Sequence, residues 1–221
     1  MNIRNNLLGL LTGLVMSTQV QAIQISSAGD TFSVDWTATT NNGSSLSAAS
    51  TWTVNSFNST QMLLSINITN TTTLTSLLTN ADITTFGFGI DPNATASIYS
   101  AGSTFDMVSA GSGPQQNFPG GYKGIDVCIF AQGCSGGTVN DALNAGETDS
   151  IQLLLSGDFS GGLAQLLFFP AKFQTSDGSY APAGCVNCAV PEPSILALMG
   201  IGLLLIGLMR TRKSVPATIR R

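Results

Sequence analysis

The sequence predicts an all-β fold, an antiparallel β-sandwich of the jelly-roll or immunoglobulin type, between a signal peptide and a C-terminal transmembrane helix. Three observations predict it. The middle of the chain contains short segments of alternating apolar and polar residues, separated by turns rich in Gly, Asn and Ser. The sequence shows neither a long amphipathic pattern nor the fixed repeat of a β-helix. Each end carries a short apolar run beside basic residues.

The alternating segments predict seven or eight strands. In residues 31–38 the alternation places Phe32, Val34 and Trp36 on one face. Further strands are predicted at 52–56, 61–70, 86–90, 125–130, 150–155 and 164–174. We expect Pro170 to mark an edge or a bulge in the last of these strands. A turn is predicted at 41–45, a short helical turn at 72–78 and a long surface loop at 93–123.

The N-terminal end has the pattern of a secretory signal peptide. Arg4 precedes a stretch without charge, residues 7–22, whose apolar part ends at Met16. That part is too short to cross about 30 Å of hydrocarbon, which disfavours the alternative of an N-terminal membrane anchor. We expect signal peptidase to cleave after Ala22.

The C-terminal end has the pattern of a single membrane span. Residues 194–209 carry no charge and would form a helix about 24 Å long. Arg210, Arg212 and Lys213 follow at once, so the positive-inside rule keeps the tail 210–221 in the cytoplasm. A basic cluster directly after the apolar run disfavours a buried core helix.

A proline-rich motif stands directly before this span. It consists of Val190, Pro191, Glu192, Pro193 and Ser194. The two prolines cannot extend a helix or a central strand, so the motif stays extended and accessible. The order of motif, short apolar helix and basic tail over residues 190–221 resembles the PEP-CTERM family. A weaker likeness, in the cysteine-containing run 128–137 and in 143–147, resembles the cistern subgroup of that family.

The resemblance implies a route and a location. An exosortase, a transpeptidase-like membrane enzyme, would cut near the motif and release or transfer the protein from a transient inner-membrane intermediate to the envelope. The expected setting is the cell surface, a biofilm or an exopolysaccharide matrix, and the expected role is structural or adhesive. The predicted organisation is a signal peptide at 1–22, a β-sandwich at 23–180, a linker at 181–193, a transmembrane helix at 194–209 and a basic tail at 210–221.

The charge of the exported part excludes one class of partner. Between residues 23 and 190 only Lys123 and Lys172 oppose eleven acidic residues, which gives a net charge of −9. Such a surface repels phosphate backbones, so we expect no nucleic-acid partner. Cations such as calcium are the natural counter-ions.

The four cysteines all lie in the exported part, at Cys128, Cys134, Cys185 and Cys188. An even number in an oxidising compartment favours two disulfides. Three pairings are possible, of which 128 with 134 and 185 with 188 is the simplest. The alternative is a zinc site with four cysteine ligands, since Cys185-x-x-Cys188 has ligand spacing. The wider separation of the first two cysteines and the oxidising compartment disfavour zinc.

The sequence gives little basis for an enzyme. It contains no histidine, which removes Ser-His-Asp and Cys-His nucleophile pairs. Glycosidase-like carboxylate pairs remain conceivable, but spacing singles out no two of the candidates, which are Asp106, Asp126, Asp141, Glu147, Asp149 and Asp158. We therefore expect no catalytic activity, with a secreted hydrolase as the least favoured alternative.

Two binding alternatives remain open. Asp141, Asn144, Glu147 and Asp149 crowd around Gly146 with oxygen ligands that suit calcium, although their spacing does not match an EF-hand and a solvated turn is favoured. A carbohydrate-binding module could stack sugars on a tryptophan. The alternation places both tryptophans, at positions 36 and 52, in the core instead.

Overall fold

The computed structural model describes residues 22–110, 118–136 and 141–188. The predicted signal peptide up to residue 21, the proline-rich motif, the C-terminal apolar run and the basic tail lie outside the described residues. Within the described ranges the chain consists of β-strands, turns and one short 3-10 turn at Pro119–Gly121. No helix among those residues is long and apolar enough to cross a membrane.

The described part of the chain contains thirteen strands. They are β1 (Ala22–Ile25), β2 (Thr31–Thr39), β3 (Ser45–Phe57), β4 (Gln61–Asn70), β5 (Ala81–Asp91), β6 (Ala94–Ser100), β7 (Met107–Ala110), β8 (Val127–Phe130), β9 (Thr148–Gly157), β10 (Ala164–Leu167), β11 (Ala171–Thr175), β12 (Gly178–Tyr180) and β13 (Cys185–Val186).

The strands form two sheets in which every pairing is antiparallel. The six-stranded sheet has the order β13-β2-β3-β4-β9-β6. In the seven-stranded sheet, β10 and β11 pair with successive parts of β5, while β8 also pairs with β5 and carries β7 beyond it. The strands β1 and β12 lie outside β10 and β11. The predicted all-β class with antiparallel pairing is therefore confirmed.

Side chains of both sheets meet in one core. The ring of Trp52 on β3 is 0% exposed and packs edge-on against Phe86 and Phe88 on β5, at centroid distances of 6.2 and 5.4 Å. Its indole N–H donates to Ser50 Oγ at 2.7 Å, which satisfies the buried donor. Trp36 is equally buried. The prediction that both tryptophans are core residues is confirmed, and neither presents a ring to a sugar.

Strand β5 is buried on both faces. Every residue from Ala81 to Ile90 is buried, because the segment 118–130 covers the face turned away from the main core. The backbone of this segment comes so close that a Cβ on Gly87 would lie 2.6 Å from the carbonyl oxygen of Val127. A Cβ on Gly89 would lie 2.3 Å from that of Gly124. The alternating glycines of β5 are therefore required by close backbone approach.

The predicted surface loop at 93–123 is wrong in its first half. This region contains β6, which pairs with β9, and β7, which pairs with β8. Along β6 the inward residues are Ala94, Ala96 and Ile98, which alternate with the hydroxyl residues Thr95 and Ser97. Such a weak alternation is hard to distinguish from a Ser-rich loop, and pairing with the long strand β9 determines the structure.

Two smaller predictions differ from the structure. Residues 72–78 form no helical turn, because Thr72 accepts from Ser47 N at 3.0 Å and donates to Ser47 O at 3.1 Å, which ties the segment to β3. The single strand predicted at 164–174 is two strands, β10 and β11. The break falls beside Pro170, where an edge or a bulge within a single strand was predicted, and Phe168 and Phe169 adopt φ values of +73° and +43°.

The sheet extends beyond the domain boundary that the sequence predicted at residue 180. Strand β13 pairs with β2, with Cys185 opposite Asp35 and Val186 opposite Val34. Residues 185–186 are thus part of the six-stranded sheet. The short strand has only two residues and one apolar side chain, so it gives no alternation that sequence reasoning could detect.

Replacing the central indole should destabilise the domain strongly. We expect Trp52→Ala to lower the free energy of unfolding by about 3–5 kcal/mol, because the cavity between the sheets cannot collapse. Denaturant unfolding followed by circular dichroism measures this loss. The control is Leu163→Ala at a 46% exposed position, where we expect a change within about 0.5 kcal/mol. Equal losses in the two variants would contradict the central place of Trp52.

Candidate functional site

The last described strand lies just before the proline-rich motif and is fitted closely to the core. Gly184 N donates to the carbonyl oxygen of Phe169 at 2.7 Å, and the indole N–H of Trp36 donates to the same oxygen at 2.7 Å. A Cβ on Gly184 would lie 2.5 Å from Val34 Cγ1 and 2.7 Å from Trp36 Nε1. Only glycine fits here, so the chain is held in place up to β13.

The break between β10 and β11 makes this attachment possible. The left-handed backbone at Phe168 and Phe169 interrupts pairing with β5 and leaves the Phe169 carbonyl free to accept from Trp36 and Gly184. Left-handed conformations are costly for aromatic residues and persist only where the surroundings fix them. Sequence reasoning missed Phe169 and Gly184, and the only signal of the break was the neighbouring proline.

All four cysteines are in disulfides. Cys128 and Cys134 are bonded to each other with a Cα–Cα distance of 5.8 Å. Cys185 and Cys188 are also disulfide-bonded, and no cysteine is free. The pairing is the local one that the sequence favoured as simplest. It leaves no thiolate for the alternative zinc site, because a zinc ligand must be a deprotonated thiol.

Three of the four predicted calcium ligands line one polar depression. Asp141, Asn144 and Glu147 lie there beside Asp106, while Asp149 is not among the lining residues. Asn144 and Glu147 form a turn in which Asn144 N donates to Glu147 Oε2 at 3.1 Å. In the described ranges no group of three or more His, Cys, Asp or Glu residues is placed to hold a metal ion. Calcium binding here stays a prediction from the sequence alone.

The carboxylate of Asp149 has a structural partner set. It accepts from Ser103 N at 2.7 Å, Ser103 Oγ at 3.0 Å, Thr104 N at 3.1 Å and Phe105 N at 2.8 Å. Burial by itself raises the pKa of Asp149, but the N–H donors of Phe105, Ser103 and Thr104 outweigh it and hold the pKa below the ordinary value. The side chain is 3% exposed. Asp149 therefore fixes the connection between β6 and β7.

Phe105 lies in the connection between β6 and β7 and packs its ring into the core. Its ring is fully buried and meets Phe86 edge-on at a centroid distance of 5.0 Å. The adjoining turn requires glycine, since a Cβ on Gly102 would lie 2.2 Å from Asp149 Oδ2. The buried charge of Asp149 thus holds in place a loop whose aromatic residue, Phe105, packs into the core.

Asp82 has the opposite electrostatic environment. Asp82 is 5% exposed, and its carboxyl group accepts a hydrogen bond from Asn80 Nδ2 at 3.2 Å. Burial is the main cause that raises the pKa of Asp82, the charge of Glu147 adds to it, and the bond from Asn80 opposes both. Ionisation of Asp149 therefore stabilises the folded state, whereas ionisation of Asp82 destabilises it.

The other candidate acids for hydrolysis serve local structure where their partners are described. Asp126 Oδ2 accepts from Ile90 N at 2.8 Å, beside the end of β5. Asp158 Oδ1 accepts from Ser160 N at 3.1 Å within the turn after β9. Asp141 Oδ2 accepts from Gln132 Nε2. The contact of Asp158 is typical of a turn carboxylate, whereas those of Asp126 and Asp141 join separate segments of the chain.

Comparison with protein-family models adds one finding. The model of the PEP-CTERM protein-sorting motif matches residues 189–213, a range that contains the proline-rich motif, the apolar run and three basic residues of the tail. The predicted sorting motif is therefore confirmed, and it implies exosortase processing, export and sorting to the cell surface. The resemblance to the cistern subgroup is not confirmed. Neither the curated proteins nor the solved structures include a match to this chain.

Removing the charge of Asp149 should destabilise the domain at neutral pH. We expect Asp149→Asn to lower the free energy of unfolding by about 3 kcal/mol. The variant replaces a buried charged acceptor of several hydrogen bonds by an amide whose own N–H₂ faces the N–H donors. Because folding lowers the pKa of Asp149, the stabilisation by its charged form is fully present above its pKa in the unfolded chain, about 3.9. It is lost as the pH falls through the pKa of the folded state. Urea unfolding between pH 3 and pH 7 measures it. The control Asp158→Asn, at an exposed turn, should lose much less, and equal losses would contradict the role of Asp149.

Asp82→Asn should stabilise the domain at neutral pH, in contrast to Asp149→Asn. A carboxyl group with a raised folded pKa lowers stability as the pH rises above its unfolded value, so the amide should raise the melting temperature at pH 7 by a few degrees, on the order of 3 °C. As the pH falls towards 4 the difference between the variant and the parent should vanish. Thermal melts over this pH range test this expectation, with Asp106→Asn as the exposed control. A lower melting temperature for Asp82→Asn at pH 7 would refute it.

Proposed function

We propose that this chain is a non-enzymatic surface protein with a structural or adhesive role in the envelope, a biofilm or the exopolysaccharide around the cell. The observation that carries the proposal is the PEP-CTERM protein-sorting motif at residues 189–213. It directly follows the described β domain, whose last strand is β13. The domain is the part that sorting would deliver, and the motif is the part that the sorting enzyme would recognise.

The chemistry of the domain supports an extracellular location. Its four cysteines are all in disulfides, which persist outside the reducing cytoplasm. The exported part carries few charges, with two lysines against eleven acids, so hydroxyl and amide groups keep it soluble. A surface of this kind tolerates dense polymer surroundings without collecting polyanions.

The proposed absence of catalysis is supported by the side chains. The sequence has no histidine to act as a general base near neutral pH. Asp149 and Asp126, which were candidates for a carboxylate pair, accept backbone hydrogen bonds within the fold. A glycosidase instead needs two carboxylates facing one cleft at a defined separation.

The position of the disulfides relative to the motif fits the proposed route. In the sequence only two residues separate Cys188 from Pro191. A cut at the motif would therefore leave both disulfides and β13 in the product. The apolar run at 194–209 would hold the intermediate in the inner membrane until the cut, and the basic tail would remain on the cytoplasmic side.

The mass of the protein recovered from the cell surface tests this proposal. We expect a species that starts at Ile23, ends near Pro191–Pro193, and gains no mass on alkylation before reduction. A triple variant with Ala at Pro191, Glu192 and Pro193 should accumulate in the inner membrane and keep Arg221, because the processing enzyme loses the segment that it recognises. The control Pro182→Ala changes a proline outside the motif and should be sorted normally. Surface protein that still contains Arg221 would refute sorting.

A further inference from the structure

The outer face of the six-stranded sheet carries rows of hydroxyl and amide side chains. On this sheet most inward positions are apolar and most outward positions are polar, with Leu63 and Leu154 as outward exceptions. The strand register determines which outward side chains stand side by side. One row crosses four strands and consists of Ser33, Thr51, Asn67 and Ser150. The next crosses five strands and consists of Thr31, Thr53, Ser65, Gln152 and Ser100. We call these nine residues the polar band.

Hydrogen bonds between strands hold the amides of the band in place. Asn67 Nδ2 donates to Ser150 Oγ at 2.7 Å, and Gln152 Nε2 donates to Ser65 Oγ at 3.0 Å. Each bond joins β4 to β9 across the outer face. Side chains that are already ordered lose less conformational entropy when a ligand binds. The band is thus a preorganised set of donors and acceptors.

The band is not flat. A depression of about 320 Å³ is lined by Thr51, Thr53, Ser65, Asn67, Ser100 and Gln152. A second depression of about 170 Å³ shares Thr51 and Asn67 with the first and continues to Ser33 and Asp35 on β2. We call these two adjoining depressions the groove; side by side they extend across the strands from β2 to β6, over about 19 Å at the usual strand spacing.

An exposed aromatic residue, Tyr99, directly precedes Ser100, the last residue of the band on β6. The register between β6 and β9 shifts between Ile98 and Ser100, which is a β-bulge. The bulge leaves both Tyr99 and Ser100 exposed, and Tyr99 is 63% exposed. Bulges commonly re-aim side chains at functional positions. An exposed tyrosine offers an apolar face next to the row that ends at Ser100.

The charge of this surface restricts the ligand. The polar band contains no ionisable side chain, and Asp35 at the far end of the groove is an acid. The net charge of −9 in the exported part disfavours polyanions. Protein partners usually bind through a central cluster of aromatic or Arg side chains that become buried. Here the large ring, that of Tyr99, belongs to β6 at the edge of the band. A ligand that matches dense neutral donors and acceptors must itself be neutral and rich in hydroxyl groups.

We propose that the polar band with Tyr99 binds a neutral polysaccharide, whose hydroxyl groups bond to the band while one sugar ring stacks on the tyrosine. The inference deepens the proposed surface role and rests on it, because such a polymer is met outside the cell. It differs from the sugar stacking considered for Trp36 and Trp52, which are buried.

Affinity electrophoresis of the purified full-length chain in detergent micelles tests the proposal. Gels contain a neutral β-glucan, a galactomannan or a dextran, or else the anionic polymers alginate or polygalacturonate. We expect at least one neutral polymer to retard the chain and neither anionic polymer to do so. Tyr99→Ala should weaken the retardation constant about tenfold through loss of one stacked ring. The double variant with Ala at Asn67 and Gln152 should weaken it by a similar factor, and Leu163→Ala, exposed but outside the band, should leave it unchanged.

The outcomes separate binding from sorting. Circular dichroism melts show whether each variant is folded. If either Tyr99→Ala or the double variant fails to fold, the other still tests the proposal. No retardation by any neutral polymer overturns the proposal, and so does retardation by the anionic polymers alone. Equal weakening by Leu163→Ala and Tyr99→Ala also overturns it. Failure of sorting in cells does not affect this assay, and failure of binding leaves the surface location unaffected.

Discussion

The structure depends on a strand that has no solvent face. Strand β5 packs its inner side against Trp52 and its outer side beneath the segment 118–130, and it pairs with β8, β10 and β11. Gly87 and Gly89 allow the covering backbone to approach more closely than any side chain would permit. The disulfide joins Cys128, in that segment, to Cys134 in the turn after β8. The main core between the sheets thus has a second, smaller cluster of buried side chains beside it, formed by Phe118, Ile125 and Cys128.

The charged groups of this protein are few, and the fold uses several of them as internal acceptors. Asp149 gathers the donors of the loop between β6 and β7, and Asp126 accepts from the end of β5. Buried carboxylates that accept backbone N–H groups rigidify loops that hydrophobic contacts alone would leave mobile.

The sequence predicted the central strands well because their side chains alternate strictly. Strands β2 and β4 follow the predicted alternation, with Phe32 and Leu64 among the buried positions. It missed β1, β6, β7, β12 and β13, which are short or carry small residues, since pairing with a neighbour rather than composition makes them strands. The role of Asp149 was also beyond reach, because its donors lie 44 to 46 residues away in the chain. The sorting motif, by contrast, is local and continuous, so sequence reasoning could find it.

The fit of Gly184 beside Val34 and Trp36 has a mechanical consequence. If the protein is attached to its surroundings through the end that sorting creates, any pull reaches the domain through β13. Freeing β13 from β2 removes Gly184 from its place and takes one donor from the Phe169 carbonyl, which then retains its bond from the Trp36 indole. A pull at that end would therefore act first on β13 and, through Gly184, on the packing around Val34 and Trp36.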